Sequence, residues 1–223
     1  MLDNTNFLLD IKPGEVRPLH IGSNYYVTVG NLPENIAKEF DNIDEHIRET
    51  EFNNLTSFNS RLAGHIKKEF AVPKQLQSDN INNFLIWLAG VAISNDESMS
   101  TYFSGPTDKL LGVDQLWINY MSKHEFNPIH SHSGLLSFVI WNKIPFDIEE
   151  ELKVFPDVRD NMTSAFNFIL GDPPRKAPIF VNKKMQNYIC IFPSYLNHCV
   201  YPFYTSDDYR VSFAGNIFLR NNK

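Results

Sequence analysis

From about Leu110 onward the chain is a succession of short aromatic and β-branched runs, each closed by a turn signal. Leu116–Met121, Leu135–Trp141, Ala165–Leu170, Tyr188–Phe192 and Arg210–Leu219 are the strand candidates, and Lys143-Ile144-Pro145 stops the second of them. An isolated strand or hairpin is marginal in water, so runs of this length must pair and stack. Several of them with intervening turns predict a sandwich or jelly roll. Eighteen Phe and nine Tyr tilt the composition the same way, since aromatic side chains favour strands.

The first half reads differently. Residues 1–30 suggest strands and turns, with a turn at Lys12-Pro13-Gly14 and a strand at Tyr25–Val29. Pro33-Glu34 opens a helix in which Ile36, Phe40, Ile43 and Ile47 form one apolar stripe. Leu62, Ile66 and Phe70 predict a second short helix, ended before Pro73. Ser78-Asp79 caps a third, Ile81–Ser94, which is apolar on most sides and therefore buried. A chain of 223 residues suits one domain. The expected division is a strand and helical region over 1–109 and a jelly-roll core over 110–223.

Asn127-Pro128-Ile129-His130-Ser131-His132 carries the strongest chemical signal. Two imidazoles separated by one residue point to the same face of a strand. His198 follows Phe192-Pro193-Ser194-Tyr195, a strand that ends in a turn, and can supply a third ligand from a distant strand. Imidazole suits Fe, Zn, Cu or Ni, so ligand type leaves the metal open. His20, His46, His65 and His124 lack partners at ligand-like spacing and read as surface or satisfied core residues.

In Arg210-Val211-Ser212-Phe213-Ala214, alternation puts Arg210, Ser212 and Ala214 on one face and Val211 and Phe213 on the other. An inward Arg needs an anion, because an unpaired buried charge is costly. Its planar fork matches a carboxylate, and Ser212 offers a hydroxyl. The competing reading is a salt bridge to Asp207 or Asp208. Asn119 has the strand parity of Met121 and can face the same pocket. Phe138, Trp141, Phe192 and Phe213 read first as core and second as an apolar wall.

Charge and cysteine content exclude other classes. A net charge of −6 and a pI near 5.6 disfavour nucleic acid as the main partner. Cys190 and Cys199 are too sparse for a disulfide framework and fit a reducing compartment. Met1–Asp10 lacks the pattern of a signal peptide, and the apolar run Phe84–Ile93 is too short to span a bilayer. A cytoplasmic location is expected, in the host if the source is viral. The acidic segment Phe146–Met162 reads first as a solvated loop and second as a lid favouring a cationic substrate.

His130-Ser131-His132, Leu136-Ser137, Phe192-Pro193-Ser194, His198 and Arg210-Val211-Ser212-Phe213 follow in an order that resembles the Fe(II)/2-oxoglutarate-dependent oxygenases. The likeness is to a prolyl-hydroxylase-like branch, of bacterial or phage type, with HxH in place of HxD. Trp117-Ile118-Asn119, with eleven residues from Asn119 to His130, resembles the same branch. The resemblance covers roughly 110–220. It implies a double-stranded β-helix, cupin-like and mainly β, with N-terminal helices packed on it (α+β overall). It further implies Fe(II) held by His130, His132 and His198, with 2-oxoglutarate and O2 as cosubstrates. Arg210, Ser212 and Asn119 would line the 2-oxoglutarate site. The implied activity is hydroxylation of a protein side chain or small molecule, coupled to decarboxylation of 2-oxoglutarate to succinate.

Two departures matter. His132 stands where an acid is usual, which leaves the site more positive or leaves that position to water. His124 stands where relatives tend to have Gly, which puts the local turn in question. The alternative functions are a non-catalytic cupin-like metal-binding module and a structural or interaction protein. An inward carboxylate clamp argues for the enzyme.

Overall fold

The structure is a computed structural model describing residues 10–22, 25–53, 55–96, 99 and 110–220. Residues 1–9, part of the expected strand-and-turn region, lie outside the described residues. Two antiparallel sheets face each other. The larger has strands β1 (Val16–Gly22), β2 (Tyr25–Asn31), β3 (Lys68–Ala71), β4 (Leu111–Met121), β6 (Leu136–Lys143), β9 (Tyr188–Pro193) and β11 (Arg210–Leu219). Their spatial order is β1-β2-β9-β6-β11-β4-β3. The smaller has β5 (Asn127–His130), β7 (Phe166–Leu170), β8 (Arg175–Ile179) and β10 (His198–Val200), in the order β5-β10-β7-β8. The chain is thus mainly β with few helices, two stacked sheets as its short strand runs predict and the double-stranded β-helix that the resemblance implies.

Strand parity sorts side chains into two cores. Toward the smaller sheet point Met121, Val139, Trp141, Cys190 and Phe192, which meet Phe166, Phe168 and Ile179. Toward the other face point Ile118, Tyr120, Ile140, Ile189, Ile191, Val211 and Phe213. Two helices cover that second face, α1 (Glu34–Glu49) and α2 (Asp79–Asn95). α1 lays down the expected stripe of Ile36, Phe40, Ile43 and Ile47, with the Phe40 ring tilted against Phe213 at 4.8 Å. Each such side chain contributes about 2 kcal/mol of hydrophobic burial. α2 starts where expected, with Ser78 Oγ accepting the Ile81 N–H at 3.1 Å. Buried Asp44 of α1 fastens the helix to β6 by accepting from Lys143 Nζ at 2.6 Å, and it also holds Arg48.

Three expectations are corrected. Leu62, Ile66 and Phe70 form no helix. Asn59–Arg61 is a single 3-10 turn, and Lys68–Ala71 is an edge strand paired with β4. The i, i+4 spacing of those apolar residues is fortuitous, because the segment meets the core from an extended strand.

His130 and His132 do not share a strand face either. β5 ends at His130, and His132 lies in the bend beyond it. Gly134, with φ +111°, turns the chain back into β6.

The acidic segment is not a plain solvated loop. It contains a short helix, α3 (Ile148–Lys153), in which Glu151 is 0% exposed. The Glu151 carboxylate accepts from Tyr204 N at 2.9 Å, Thr205 N at 2.7 Å and the Thr205 hydroxyl. Phe146 stacks on Phe203 at 4.9 Å, so the first part of the segment is docked, while residues 153–160 are exposed as a solvated loop would be.

His124 takes φ +70° and donates its backbone N–H to Phe203 O at 3.0 Å. The left-handed turn is thus kept with His in place of Gly, and the ring rests 5.1 Å from Tyr204. Among the described residues no helix is long and apolar enough to cross a membrane.

Glu151→Ala would leave the Tyr204 and Thr205 backbone N–H groups without their carboxylate acceptor, at a cost of about 1–2 kcal/mol in stability because Thr205 is exposed to water. Glu151→Gln keeps one carbonyl acceptor and should cost less. Urea denaturation of the three proteins reads this directly, and an unchanged midpoint in the Ala variant would show that Glu151 holds nothing.

Candidate active site

One cavity between the sheets gathers the residues that the sequence singled out. Its lining includes Asn119, Asn127, His130, His132, His198, Arg210 and Ser212. β10 pairs with β5 so that His198 lies directly opposite His130, and their ring centroids are 4.3 Å apart. His132 reaches the same point from the bend, 4.9 Å from His130 and 5.1 Å from His198. One ligand atom from each of the three lies within 4.8 Å of the others. The remaining four His are exposed and stand outside this group.

Local hydrogen bonds prepare two of the imidazoles. His130 Nδ1 lies 2.8 Å from Pro128 O, and His198 Nδ1 lies 2.9 Å from Leu196 O. A carbonyl only accepts, so each Nδ1 carries the proton and each Nε2 keeps its lone pair. This is the partner arrangement that metal-bound imidazoles use. Burial lowers the pKa of all three. His132 is pushed down to about 4 by burial and then by His130. His198 falls to about 3 by burial, with His130 adding to it. His130 moves the same way despite its bond to Pro128. All three are therefore neutral ligands at neutral pH.

Aromatic packing fixes the rings. Phe166 stacks on His198 at 5.3 Å and Phe192 meets it edge-on at 4.9 Å. Trp117 lies 5.7 Å from His132 and is itself stacked on Phe58. Of the expected apolar wall, Phe192 and Phe138 line the cavity, while Trp141 and Phe213 lie in the two cores. The His132 backbone N–H donates to Ser194 O at 2.9 Å, which ties the bend to the end of β9.

Arg210 is 3% exposed and faces the cavity. Its Nη1 donates to Ser164 O at 3.3 Å. No carboxylate of the described residues pairs with it. Asp207 instead holds Lys123 at 2.5 Å, so the salt-bridge reading of Arg210 does not hold. Burial lowers the guanidinium pKa to about 10, and it remains charged at neutral pH. β11 pairs with β4 so that Ser212 opposes Asn119, and Asn119 Nδ2 donates to Ser212 Oγ at 3.3 Å. Arg210, Ser212 and Asn119 thus share one wall.

Sequence reasoning missed Ser164, whose left-handed backbone (φ +61°) accompanies the carbonyl that meets Arg210. It also missed Glu69, hidden in the segment misread as helix. Asn127 stood at the head of the His130 motif and was passed over. Its place on a short strand opposite β10 was the available signal.

Three neutral imidazoles that could hold a metal ion thus stand at one end of a double-stranded β-helix cavity, with a buried guanidinium that pairs with no acid of the described residues in its wall. Residues 115–216 match the family model described as "Putative 2OG-Fe(II) oxygenase". That family implies Fe(II) and 2-oxoglutarate.

Solved structures share the fold. A Pseudomonas putida prolyl-4-hydroxylase is similar at 12% identity and TM-score 0.53, over 89% of this chain and 95% of that one. AviO1 from Streptomyces viridochromogenes Tue57 is similar at 10% identity and TM-score 0.51, over 88% and 90%. A 2OG-Fe(II) oxygenase family oxidoreductase from Burkholderia pseudomallei is similar at 11% identity and TM-score 0.50, over 86% and 84%. No curated protein matches the chain.

The unpaired guanidinium has a measurable cost. A fall from 12.5 to about 10 corresponds to about 3 kcal/mol at the 1.36 kcal/mol per pKa unit of linkage. The folded pKa lies below the unfolded one. The penalty is therefore fully present at neutral pH and fades only as pH rises through about 10. Arg210→Met keeps much of the apolar volume without the charge. The ligand-free variant should melt several degrees higher, as expected for removal of an uncompensated buried charge. An equal or lower melting temperature would mean that the fold already compensates Arg210.

Proposed function

We propose that the chain is an Fe(II)- and 2-oxoglutarate-dependent hydroxylase acting on a protein side chain or small molecule. The observation that carries this reading is the buried Arg210 guanidinium, unpaired by any acid and aimed into the cavity that holds the three imidazoles. A structural metal module needs the imidazoles but has no use for an unpaired internal cation.

The residues fit both groups. Nε2 of His130 and His198, with a ring nitrogen of His132, would hold the metal. The Arg210 fork and the Ser212 hydroxyl would hold the distal carboxylate of 2-oxoglutarate. The carboxylate removes the cost of leaving Arg210 alone, so the site favours a dianion over a neutral keto compound. Asn119 orients the Ser212 hydroxyl by donating to its oxygen, which leaves the Ser212 proton free for the carboxylate. Bound there, iron and 2-oxoglutarate supply oxidative decarboxylation coupled to insertion of oxygen into a substrate C–H bond. The protein's part is placement and exclusion of water. Trp117, Phe166 and Phe192 do this by packing the imidazoles into an apolar wall.

His132 in place of a carboxylate gives an all-neutral ligand set. A site without a compensating negative charge binds a divalent cation less strongly and leaves more positive charge on it. His132→Asp should therefore hold Fe(II) at least as tightly as the parent, while His132→Ala should lose affinity by about two orders of magnitude. Equal iron affinity and turnover in the Ala variant would exclude His132 as a ligand.

The oxygenase reading is tested by anaerobic addition of Fe(II) and 2-oxoglutarate, watching for a metal-to-ligand charge-transfer band. The parent should develop the band. Arg210→Ala should need roughly 100-fold more 2-oxoglutarate for it, for a loss of about 3 kcal/mol of charge-assisted hydrogen bonding. Absence of the band in the parent, or no change in the variant, would exclude the assignment.

A further inference from the structure

The inward polar side chains of the larger sheet change character from β11 to β3. On β11 Arg210 donates. On β4 and β3 the side chains also present acceptors, Asn119 Oδ1 in the cavity lining and Glu69 in the row behind it. Glu69 of β3 lies directly opposite Asn119 of β4, which lies opposite Ser212 of β11, so three inward side chains form one row across adjacent strands. Glu69 is 0% exposed and Asn119 is 6% exposed. Glu69 Oε1 and Asn119 Oδ1 are buried with no hydrogen-bond partner among the described residues. Asn127 Oδ1, from the β5 strand that carries His130, is in the same state. Burying an acceptor without a donor costs about 1–3 kcal/mol, and three of them gathered on one side call for a donor.

Gly64 shows that two of these oxygens are neighbours. A Cβ on Gly64 would overlap Asn127 Oδ1 and come within 3.1 Å of Glu69 Oε1. The two bare oxygens therefore lie side by side against the Gly64 backbone, where only a residue without a Cβ lets Asn127 approach. Leu62, Ala63 and Asn127 around it line the cavity.

Neighbouring groups do not fill the need. Asn59 Nδ2 reaches only the other carboxylate oxygen of Glu69, at 3.4 Å. Glu125 is occupied by backbone N–H groups of Lys67 at 3.2 Å and Ser122 at 2.9 Å, and it adds negative charge nearby. Lys68 donates to Tyr209 OH at 2.8 Å from the opposite face of β3.

We infer that Glu69, Asn119 and Asn127 form a subsite for an organic cation, an ammonium or guanidinium group carried by the substrate. The inference rests on the oxygenase reading only in making the bound cation the substrate. A guanidinium or ammonium supplies several N–H donors to acceptors that the fold leaves bare, and it supplies the charge that Glu69 lacks. Empty of a cation, Glu69 is held up to about 7 by burial and then by Glu125, the state of a carboxyl without its counter-ion. Anion at β11 and cation at β3–β4 would then sit next to each other along one sheet, each matched by sign.

Isothermal titration of the metal-free protein tests this with n-butylguanidinium, n-butylammonium and the neutral n-butylurea. A second arm uses acetyl-Gly-Arg-Gly-amide against its citrulline counterpart. At least one cation should bind about tenfold tighter than its neutral counterpart, the size of one charge-assisted hydrogen bond. A preference confined to the alkyl cations points to a small-molecule substrate, and one confined to the peptide points to a protein side chain. Either supports the inference. Glu69→Gln, of the same shape, should abolish the preference, and Gly64→Ala, whose Cβ would push Asn127 Oδ1 away from Glu69, should abolish cation binding. The inference is overturned if no cation binds, if the neutral compounds bind equally, or if both variants keep the preference. The titration needs neither iron nor 2-oxoglutarate, so it stands or falls separately from the charge-transfer band.

Discussion

The register of β11 is the constraint on which the rest depends. This ten-residue strand pairs with β4 on one side and β6 on the other. Its alternation sends Val211, Phe213 and Ile217 under the helices and Arg210, Ser212 and Ala214 into the cavity. A slip of one residue would bury the guanidinium among the apolar side chains of α1 and turn Phe213 toward the imidazoles. The contact of Phe213 with Phe40 therefore does more than fill a core. It excludes the one register in which the charged residue faces the wrong way.

Once β11 is set, the cavity wall follows by neighbour rules. Asn119 lies opposite Ser212, Glu69 lies opposite Asn119, and each inherits its direction from the strand beside it. The other wall comes from a different logic. β5 and β10 are only four and three residues long, too short to be stable as a pair. They are held by pairing of β10 with β7 and by the aromatic rings of Phe166, Phe168 and Phe192 around His198. Long strands set the anion side, and short strands braced by aromatics set the metal side.

Much of this was legible in sequence where periodicity is long and undisturbed. β11 was read to its last residue, and the α1 stripe and the Ser78 cap were read correctly. β3 was not, because Lys68-Glu69-Phe70-Ala71 places a charged residue on its inward face, which hides the alternation, while Leu62, Ile66 and Phe70 mimic a helical spacing. β8 and β10 were passed over because Arg175-Lys176 and a three-residue run carry no apolar pattern. The helix at Ile148–Lys153 was obscured by its acids, one of which is buried for reasons that lie at residues 204 and 205. Convergence of the three imidazoles and Arg210 was legible from residue types and order, and parity held for Arg210, but His132 reaches the site from beyond the strand. The bare oxygens of Glu69 and Asn127 were not, since an unsatisfied acceptor is a property of the packed structure alone.

His132 differs from its two companions in where its backbone is anchored. His130 and His198 both sit on the smaller sheet, whereas His132 hangs from Ser194, just past the last residue of β9 in the larger one. Ser194 is in turn buried and linked through Ser137 to Asn216 on β11, with oxygen contacts of 2.9 and 2.8 Å. An ion shared by the three imidazoles would therefore join the two layers at the mouth of the sandwich, as a clasp joins two covers. Its loss would do more than remove a reactive centre: the layers there would be free to breathe apart, and the mouth would become the part of the molecule that opens first.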